Sequence, residues 1–400
     1  VRETPDSNGQ YGVGVTDGGD FTMTGGKIEA GWFAVAGNGN YKTQNSIINI
    51  TDGELISTAD YAVYLPQSGT TTISGGKVYG AAGGVCIQRG TLNVEGTALI
   101  TSKGTGSTGN WGDGTGGLDC AAINVSGAYG IATVNIKGGT LIAEAKSLIT
   151  EGTTYTPVIN VTGGTFSDPS VLKYMATNAT VDIKLLSNIN IAKTELATGY
   201  ILNAANATAN LNLNGHDIIN SSETADATPF TQIFTVQNGT LNISGNGNVK
   251  CDASATAKDD GYRMVIEARG YGTVNIHGGS YYNTQKLNTQ IDLIYARENG
   301  KINIYGGTFE SGKYGTPNND TDGRYWVLNL KNTDKNTASI QVSGGTFINF
   351  NPANPNMDDN ESYLVTGYEV TRDGSVYTAA HKVGDGRKEY IVGQTSQENR

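Results

Sequence analysis

Short runs of alternating apolar and polar residues recur along this chain, and most end in a pair of glycines. In the run before Gly138, the apolar Val134 and Ile136 alternate with Thr133 and Asn135. A period of two is typical of a strand with one buried face. Glycine adopts positive φ without strain, so it suits a corner between two strands. The pattern therefore predicts short strands joined by glycine corners, with no competing helical periodicity.

The corner motif returns at intervals of roughly 20 to 40 residues, the range of solenoids and propellers. Its copies are Met23–Gly26, Ile73–Gly76, Ile136–Gly139, Val161–Gly164, Ile276–Gly279, Ile304–Gly307 and Val342–Gly345. One corner per ~25 residues favours two or three strands per turn over a sandwich or barrel of hairpins. We predict an all-β fold, a right-handed parallel β-helix of roughly 14 to 16 turns, about 70 Å long. The apolar residues before the corners should form one internal ladder: Ile73, Ile136, Val161, Ile276, Ile304 and Val342.

The repeat divides into two parts. After the corner at Gly163 comes a capped stretch, 167–175, that indicates a short helix, and a new strand pattern begins at Val181. We predict a first β-helix module with a terminal linker over residues 1–180 and a second module over 181–347. A solenoid must close its open end, so residues 348–400 are predicted to be a small C-terminal β cap with a polar tail.

Several of these segments resemble known repeats. Val161–Phe166, Ile304–Phe309 and Gly344–Phe347, the last followed by Gly367–Val370, resemble pectate-lyase-like β-helix repeats of bacterial surface, adhesin-like proteins. Those modules end in a Gly-Gly-Thr-Phe strand and then a Gly-Tyr-x-Val strand. The stretch 211–352 is also similar to fibre proteins of gut phages. The resemblance implies an extracellular solenoid at a cell surface or a virion surface, used as a scaffold or adhesin.

Charge and composition exclude some partners. The net charge of −10 offers no basic stripe for phosphates, so we expect no nucleic-acid partner. No apolar run approaches the ~18 residues of a membrane span, so we expect no membrane insertion within this segment. Cys86, Cys120 and Cys251 are far apart and predict neither a metal site nor a disulfide framework. The start at Val1, without a signal region, suggests a segment of a larger protein.

Polysaccharide-cleaving enzymes share this fold, but the sequence contains only parts of their catalytic patterns. Asn332–Asp334 matches the Asn-Thr-Asp element of polygalacturonase-type hydrolases, but their Gly-His-Gly and Arg-Ile-Lys elements are absent. Lyases need a carboxylate cluster for Ca²⁺ and a base. Arg263, Arg269 and Arg297 could share a face, but no Asp/Glu cluster converges with them in the sequence. We therefore predict that the chain is not an enzyme and needs no cofactor.

Candidate ligand-binding residues lie on loops and among the aromatics. The segment Gly104–Gly117 is too long and glycine-rich for a simple corner, and loops commonly carry binding residues. It contains Trp111 and Asp113, and an indole can stack on a sugar. In Tyr281-Tyr282 and Tyr325-Trp326, neighbours point to opposite faces, so only one of each pair can be exposed. The candidates are Trp111, Asp113, Tyr282, Tyr325 and Trp326.

A second loop, Gly312–Gly323, raises calcium binding as a hypothesis. Asn318, Asp320 and Asp322 supply oxygen ligands at alternate positions, and Gly323 occupies the sixth, as in the first half of an EF-hand loop. The twelfth position is Asn329 rather than Glu, so a plain turn is the competing interpretation.

Together these patterns favour a non-catalytic extracellular rod of a bacterial surface protein, with loops for carbohydrate binding. Its expected partner is a host or bacterial surface glycan or protein. A phage fibre or other virion surface protein remains the alternative, and a polysaccharide lyase or glycoside hydrolase the further one.

Overall fold

The computed structural model describes residues 11–38, 43–108, 116–151, 154–191, 199–220, 230–251, 262–283, 291–311, 325–355 and 362–382. Over these ranges the chain is all-β and forms thirty-two strands and two short 3-10 helices. The helices are Pro169–Tyr174 and Asn332–Asp334. The strands are β1 (Val13–Gly14), β2 (Asp20–Ala30), β3 (Val35–Ala36), β4 (Ser46–Ser57), β5 (Tyr61–Leu65), β6 (Gly69–Ile73), β7 (Lys77–Gly80), β8 (Gly83–Ile87), β9 (Gly90–Val94), β10 (Leu99–Ser102), β11 (Ala121–Val125), β12 (Ala132–Ile136), β13 (Thr140–Ala143), β14 (Lys146–Thr150), β15 (Val158–Val161), β16 (Thr165–Phe166), β17 (Thr180–Lys184), β18 (Ile189–Ile191), β19 (Tyr200–Asn212), β20 (Ile218–Asn220), β21 (Phe230–Ser244), β22 (Asn248–Cys251), β23 (Tyr262–Ile276), β24 (Ser280–Asn283), β25 (Ile291–Ala296), β26 (Lys301–Ile304), β27 (Thr308–Ser311), β28 (Tyr325–Leu330), β29 (Ser339–Val342), β30 (Thr346–Ile348), β31 (Tyr368–Asp373) and β32 (Val376–His381).

These strands form three long sheets whose pairings are parallel except at the C-terminal end. A six-stranded sheet contains β1, β3, β5, β8, β11 and β14. An eight-stranded sheet contains β18, β20, β22, β24, β27, β30, β31 and β32, and an eighteen-stranded sheet contains the rest. Long parallel sheets of short, sequential strands are compatible with a parallel β-helix.

The chain repeats a three-strand unit. The second strand of a unit runs into the glycine corner. The first strand comes before it in the chain, and the third strand follows the corner. In one unit these are β5, β6 and β7, which pair with β8, β9 and β10 of the next unit. We call the equivalent strands of successive units the first, second and third lanes.

Twelve second-lane strands can be counted in the described ranges, namely β2, β4, β6, β9, β12, β15, β17, β19, β21, β23, β26 and β29. This is fewer than the 14 to 16 turns expected from the sequence. Long connections make some units longer than ~25 residues. The segment from Gly83 to Ala121, for example, spans a single unit.

The apolar residues before the glycine corners are buried, as the alternation predicts. Ile73, Ile136, Val161, Ile276, Ile304 and Val342 are each fully buried. The expectation that they form one ladder is wrong, because they lie in two. One ladder is Met23, Ile50, Ile73, Val94, Ile136 and Val161. The other is Ile28, Leu55, Val78, Ile100, Leu141, Phe166, Ile183, Leu211, Ile243, Ile276, Ile304 and Val342.

The cause is a slip of one lane between β16 and β17. Phe166 follows a glycine corner, whereas its partner Ile183 precedes the next corner. The third lane of the first half therefore continues as the second lane of the second half. The 3-10 helix Pro169–Tyr174 lies at this slip, as the sequence indicates, and the side chain of Asp168 caps it by accepting from the Ser170 amide.

The C-terminal end departs from parallel pairing. Strands β31 and β32 form an antiparallel hairpin, and β32 pairs antiparallel with β30. The outermost strand, β31, carries Glu369, Arg372 and Asp373. Charged side chains on an edge strand oppose pairing with another chain. Within the described ranges, no helix has the length and apolar character needed to cross a membrane.

Candidate functional site

The predicted recognition loop Gly104–Gly117 rises from a two-stranded stem. Ser107 and Asp119 form an antiparallel bridge, and the Thr108 amide donates to the Leu118 carbonyl at 2.7 Å. Trp111 and Asp113 fall within residues 109–115, which lie outside the described residues. The structure therefore defines the base of the loop.

Side chains from three different units hold this stem to the six-stranded sheet. The Tyr61 hydroxyl donates to the carbonyl of Asp119 at 2.5 Å, and the Asn124 amide donates to the same carbonyl at 3.0 Å. The Glu151 carboxylate accepts from the Asp119 amide at 2.6 Å and from the Asn124 side chain. We call Tyr61, Asn124 and Glu151 the stem anchor. The stem anchor fixes the main chain of one stem residue, Asp119.

An aromatic cluster lies beside the anchor on the outer face of the same sheet. The rings of Phe33 and Tyr64 stack with centroids 4.8 Å apart, and Cys86 and Leu118 pack with them. Tyr61 lies across Gly83, where an added Cβ would come within 1.9 Å of the ring. Glycine at position 83 therefore makes room for the anchoring tyrosine.

The sequence contains a signal for this outer layer that the search for alternation missed. Strands β5, β8 and β11 are buried at every position and read Tyr-Ala-Val-Tyr-Leu, Gly-Gly-Val-Cys-Ile and Ala-Ala-Ile-Asn-Val. Continuous apolar runs are typical of parallel strands covered on both faces. They indicate a second layer over the sheet and, with it, the position of the loop stem.

Burial controls the charge of the anchor. Burial raises the pKa of the Glu151 carboxyl above its usual range, and hydrogen bonds from Asn124 and Asp119 partly oppose the rise. Burial also raises the pKa of the Tyr61 phenol well above its usual value, so Tyr61 remains a neutral donor at neutral pH. The anchor therefore contains one carboxylate that is costly to ionise.

Glu151→Gln is expected to be at least as stable as the original chain at pH 7. The glutamine oxygen can accept both hydrogen bonds without placing a charge in this half-buried position. The pKa of Glu151 is higher in the folded chain than in the unfolded chain, so ionisation of this carboxyl favours unfolding. The original chain therefore loses stability as the pH rises from the usual glutamate pKa, about 4.3, to the folded pKa. The advantage of Glu151→Gln should therefore disappear below pH 4. Urea denaturation between pH 3.5 and 8 measures it.

Glu151→Ala is the matched control, because this substitution removes the carboxylate oxygen that accepts a hydrogen bond from the Asp119 amide. Its expected cost is about 1–3 kcal/mol. If Glu151→Gln were as destabilising as Glu151→Ala at pH 7, the charge rather than the acceptor would hold the stem, contrary to this interpretation.

The remaining candidate residues from the sequence do not gather into one site. Tyr282 is half-buried, with the Lys250 amine 5.2 Å from its ring centroid, while its neighbour Tyr281 is fully buried. Trp326 is only 8% exposed, which does not fit the expectation that its ring stacks on a sugar. The described residues include only the backbone of Tyr325, and Asn318, Asp320 and Asp322 lie outside them.

A second cluster of charged residues lies on the first lane of the second half. Glu267 is 1% exposed and accepts from Arg297 Nε at 2.6 Å and from Gln232 Nε2 at 2.9 Å, while Arg269 Nε lies 3.9 Å away. The sequence suggested that the arginines share a face but missed this carboxylate. Both its oxygens are occupied by protein donors, so the cluster can tie successive units together.

Asp334, from the Asn-Thr-Asp element, lies in a 3-10 helix and accepts from the backbone amide of Glu298 at 2.6 Å. This hydrogen bond lowers the pKa of Asp334. Within the described ranges, no three His, Cys, Asp or Glu side chains are placed to hold a metal ion. Comparisons of the chain with protein-family models, with curated proteins and with solved structures gave no match.

Proposed function

We propose that this chain is a non-catalytic, right-handed β-helical rod of a bacterial surface protein that displays loops for recognition of glycans or proteins outside the cell. The observation that carries this proposal is where the long connections leave the units. Both predicted recognition loops join a third-lane strand to the first-lane strand of the next unit, one between β10 and β11 and the other between β27 and β28.

Four further connections leave at the same type of corner. They lie between β18 and β19, β20 and β21, β22 and β23, and β24 and β25. The second-lane core residues Leu211, Ile243, Ile276, Ile304 and Val342 stay paired through these units, while the longest connections all leave at this corner. This is the arrangement expected when a rigid scaffold presents variable loops. Twelve stacked units at ~4.8 Å would make a rod of about 55 Å.

The stem anchor supports the same function. Tyr61, Asn124 and Glu151 belong to three different units and all bind the main chain of Asp119. Removing a polar group from water costs free energy unless the group is hydrogen-bonded. At this loop base three polar side chains are hydrogen-bonded to the main chain of one residue. A loop held this way can present its tip in a constant position.

Trp111→Ala is expected to weaken binding of the recombinant chain to bacterial or host cells, or to glycan arrays that include mucin and host glycans. The indole has the flat apolar face that stacks on a sugar, and its loss should reduce affinity about tenfold or more. The proposal requires Trp111 to lie outside the core, so thermal unfolding should be nearly unchanged. Array binding and circular dichroism measure the two effects.

Trp326→Ala is the matched control, because Trp326 is buried. It should lower stability by several kcal/mol, as truncation of a buried Trp does. Equal loss of stability in Trp111→Ala would place Trp111 in the core and contradict the loop proposal. Release of reducing ends or unsaturated uronates from the same glycans would favour the enzyme alternative, and binding confined to bacterial envelope glycans would favour the phage fibre.

A further inference from the structure

The outer face of the second lane in the second half is a polar surface built from repeated side chains. Inward residues of this lane, such as Val274 and Ile276, are fully buried, so every other residue faces outward. We call the outward positions of 208–212, 238–244, 271–277, 301–305 and 339–343 the amide face. Pairing in register places the amides of successive strands side by side, in the order Asn210, Asn242, Asn275, Asn303 and Gln341.

The asparagines of this face are held in fixed orientations. Asn303 Nδ2 donates to Asn275 Oδ1, and Asn275 Nδ2 donates to Asn242 Oδ1, both at 2.8 Å. Asn242 Nδ2 donates in turn to Asn210 Oδ1 at 2.8 Å. A side-chain amide has two N–H donors and two acceptor sites, so these bonds leave one N–H and one acceptor site on each inner member of the row. The row therefore presents ordered donors and acceptors every ~4.8 Å, which reduces the entropy that binding a partner would cost.

Two exposed tyrosines lie at opposite margins of the amide face. Tyr271, at the outward position before Thr273, is 75% exposed, and Tyr305 is half exposed. The Tyr305 ring stacks flat on His277, with ring centroids 4.7 Å apart and an interplanar angle of 10°. Tyr271 and His277 are six positions apart on neighbouring outward sites of one strand, so the two tyrosines lie roughly 20 Å apart. Tyrosine combines an apolar ring with a polar hydroxyl and is enriched where proteins bind partners.

The charge of the amide face differs from that of the chain. The chain has 37 Asp and Glu residues and a net charge of −10, yet none of the outward positions of this face, all of which the structure describes, is acidic. Lys301 is its one lysine. A basic partner would therefore find no counter-charge here, and an apolar partner would remove the amides from water without replacing their hydrogen bonds. The surface fits a neutral partner that has both hydroxyl groups and apolar C–H faces.

We propose that the amide face binds a neutral, extended glycan that crosses it from Tyr271 to Tyr305. Sugar rings stack on the two tyrosines, and hydroxyl or acetamido groups pair with the asparagine row between them. The inference rests on the proposed function for its class of partner, but it places recognition on rigid strands rather than on the loops. Sugars joined through equatorial bonds form straight chains with C–H groups on their faces, so cellohexaose and N-acetylchitohexaose are suitable probes.

Isothermal titration of the intact chain tests the proposal. At least one of the two neutral hexasaccharides should bind, and hexagalacturonate, an acidic hexasaccharide, should bind at least tenfold more weakly. Tyr271→Ala and Tyr305→Ala should each weaken binding about tenfold through loss of a stacking ring, and Asn303→Ala about fivefold through loss of hydrogen bonds. Circular dichroism melting should be nearly unchanged in the tyrosine variants, because both rings are exposed.

Tyr155→Ala is the matched control, because Tyr155 is 48% exposed and lies in the first half of the chain. It should leave the affinity unchanged. Equal weakening by Tyr155→Ala and Tyr271→Ala would overturn the proposal, as would tighter binding of hexagalacturonate or no binding of either neutral probe. Binding that Trp111→Ala abolishes and both tyrosine variants keep would also overturn it, while leaving recognition by the loops intact.

Discussion

Phe309→Ala is expected to destabilise the chain by about 3–5 kcal/mol, the cost of truncating a buried phenylalanine. Phe309 is fully buried and stacks between Tyr281 and Phe347, with ring centroids 5.1 and 5.0 Å away. Because these rings belong to successive third-lane strands, the cavity would interrupt the stack on both sides. Urea denaturation followed by circular dichroism measures the loss.

Tyr305→Ala is the control for this substitution. Tyr305 is aromatic and four residues away, but it is 50% exposed and stacks on His277 at the surface. Its change should stay within about 0.5 kcal/mol, as for most surface substitutions. Similar losses in both variants would mean that the aromatic stack does not carry the stability of this lane.

Arg297→Ala is expected to cost about 3 kcal/mol, because it leaves the buried carboxylate of Glu267 without its closest cation. The Arg297 side chain is 25% exposed and Glu267 is 1% exposed, so the penalty falls on the glutamate. Gln232 still donates a hydrogen bond to the Glu267 carboxylate and so reduces the loss of stability. Denaturation at pH 7 measures the effect, and raising the salt concentration should restore little of it, since buried pairs are weakly screened.

Two further variants separate charge from packing. Arg269→Ala removes an arginine that lies 3.9 Å from the same carboxylate and is 32% exposed, so we expect less than about 1 kcal/mol. Joint replacement, Glu267→Gln with Arg297→Met, removes both charges and should recover much of the loss. A double variant as unstable as Arg297→Ala would show that packing of the guanidinium, not its charge, holds the units together.

Local patterns predicted the building block of this chain well. Alternation before each corner identified the inward residues, and Ile136 and Ile304 are buried as that alternation requires. The capped stretch at 167–175 contains the helix Pro169–Tyr174. Both features depend on neighbours within a few residues, so the sequence contains the needed information.

The slip could not be predicted in this way. Val181 and Ile183 alternate with polar residues as in every other unit, and nothing in that pattern states which lane they join. The lane is decided by pairing with Phe166, across the intervening helix. The register between units is non-local, and that is why residues expected in one ladder lie in two.

The stem anchor and the Glu267 cluster escaped prediction for the same reason. Tyr61, Asn124 and Glu151 are separated by dozens of residues, and stacking alone brings them to Asp119. Glu267 and Arg297 become neighbours because β23 and β25 pair. Trp111, by contrast, was singled out from its glycine-rich surroundings, a local property.

The slip also determines where each half of the proposed rod can make contact. Since the third lane of the first half continues as the second lane of the second half, the first-lane and third-lane strands of the two halves lie in different sheets. The strands that precede the loops Gly104–Gly117 and Gly312–Gly323, β10 and β27, therefore belong to the eighteen-stranded and the eight-stranded sheet. In the proposed rod, recognition at the two loops would therefore start from different sides, and such a rod would be suited to bridging two separate surfaces.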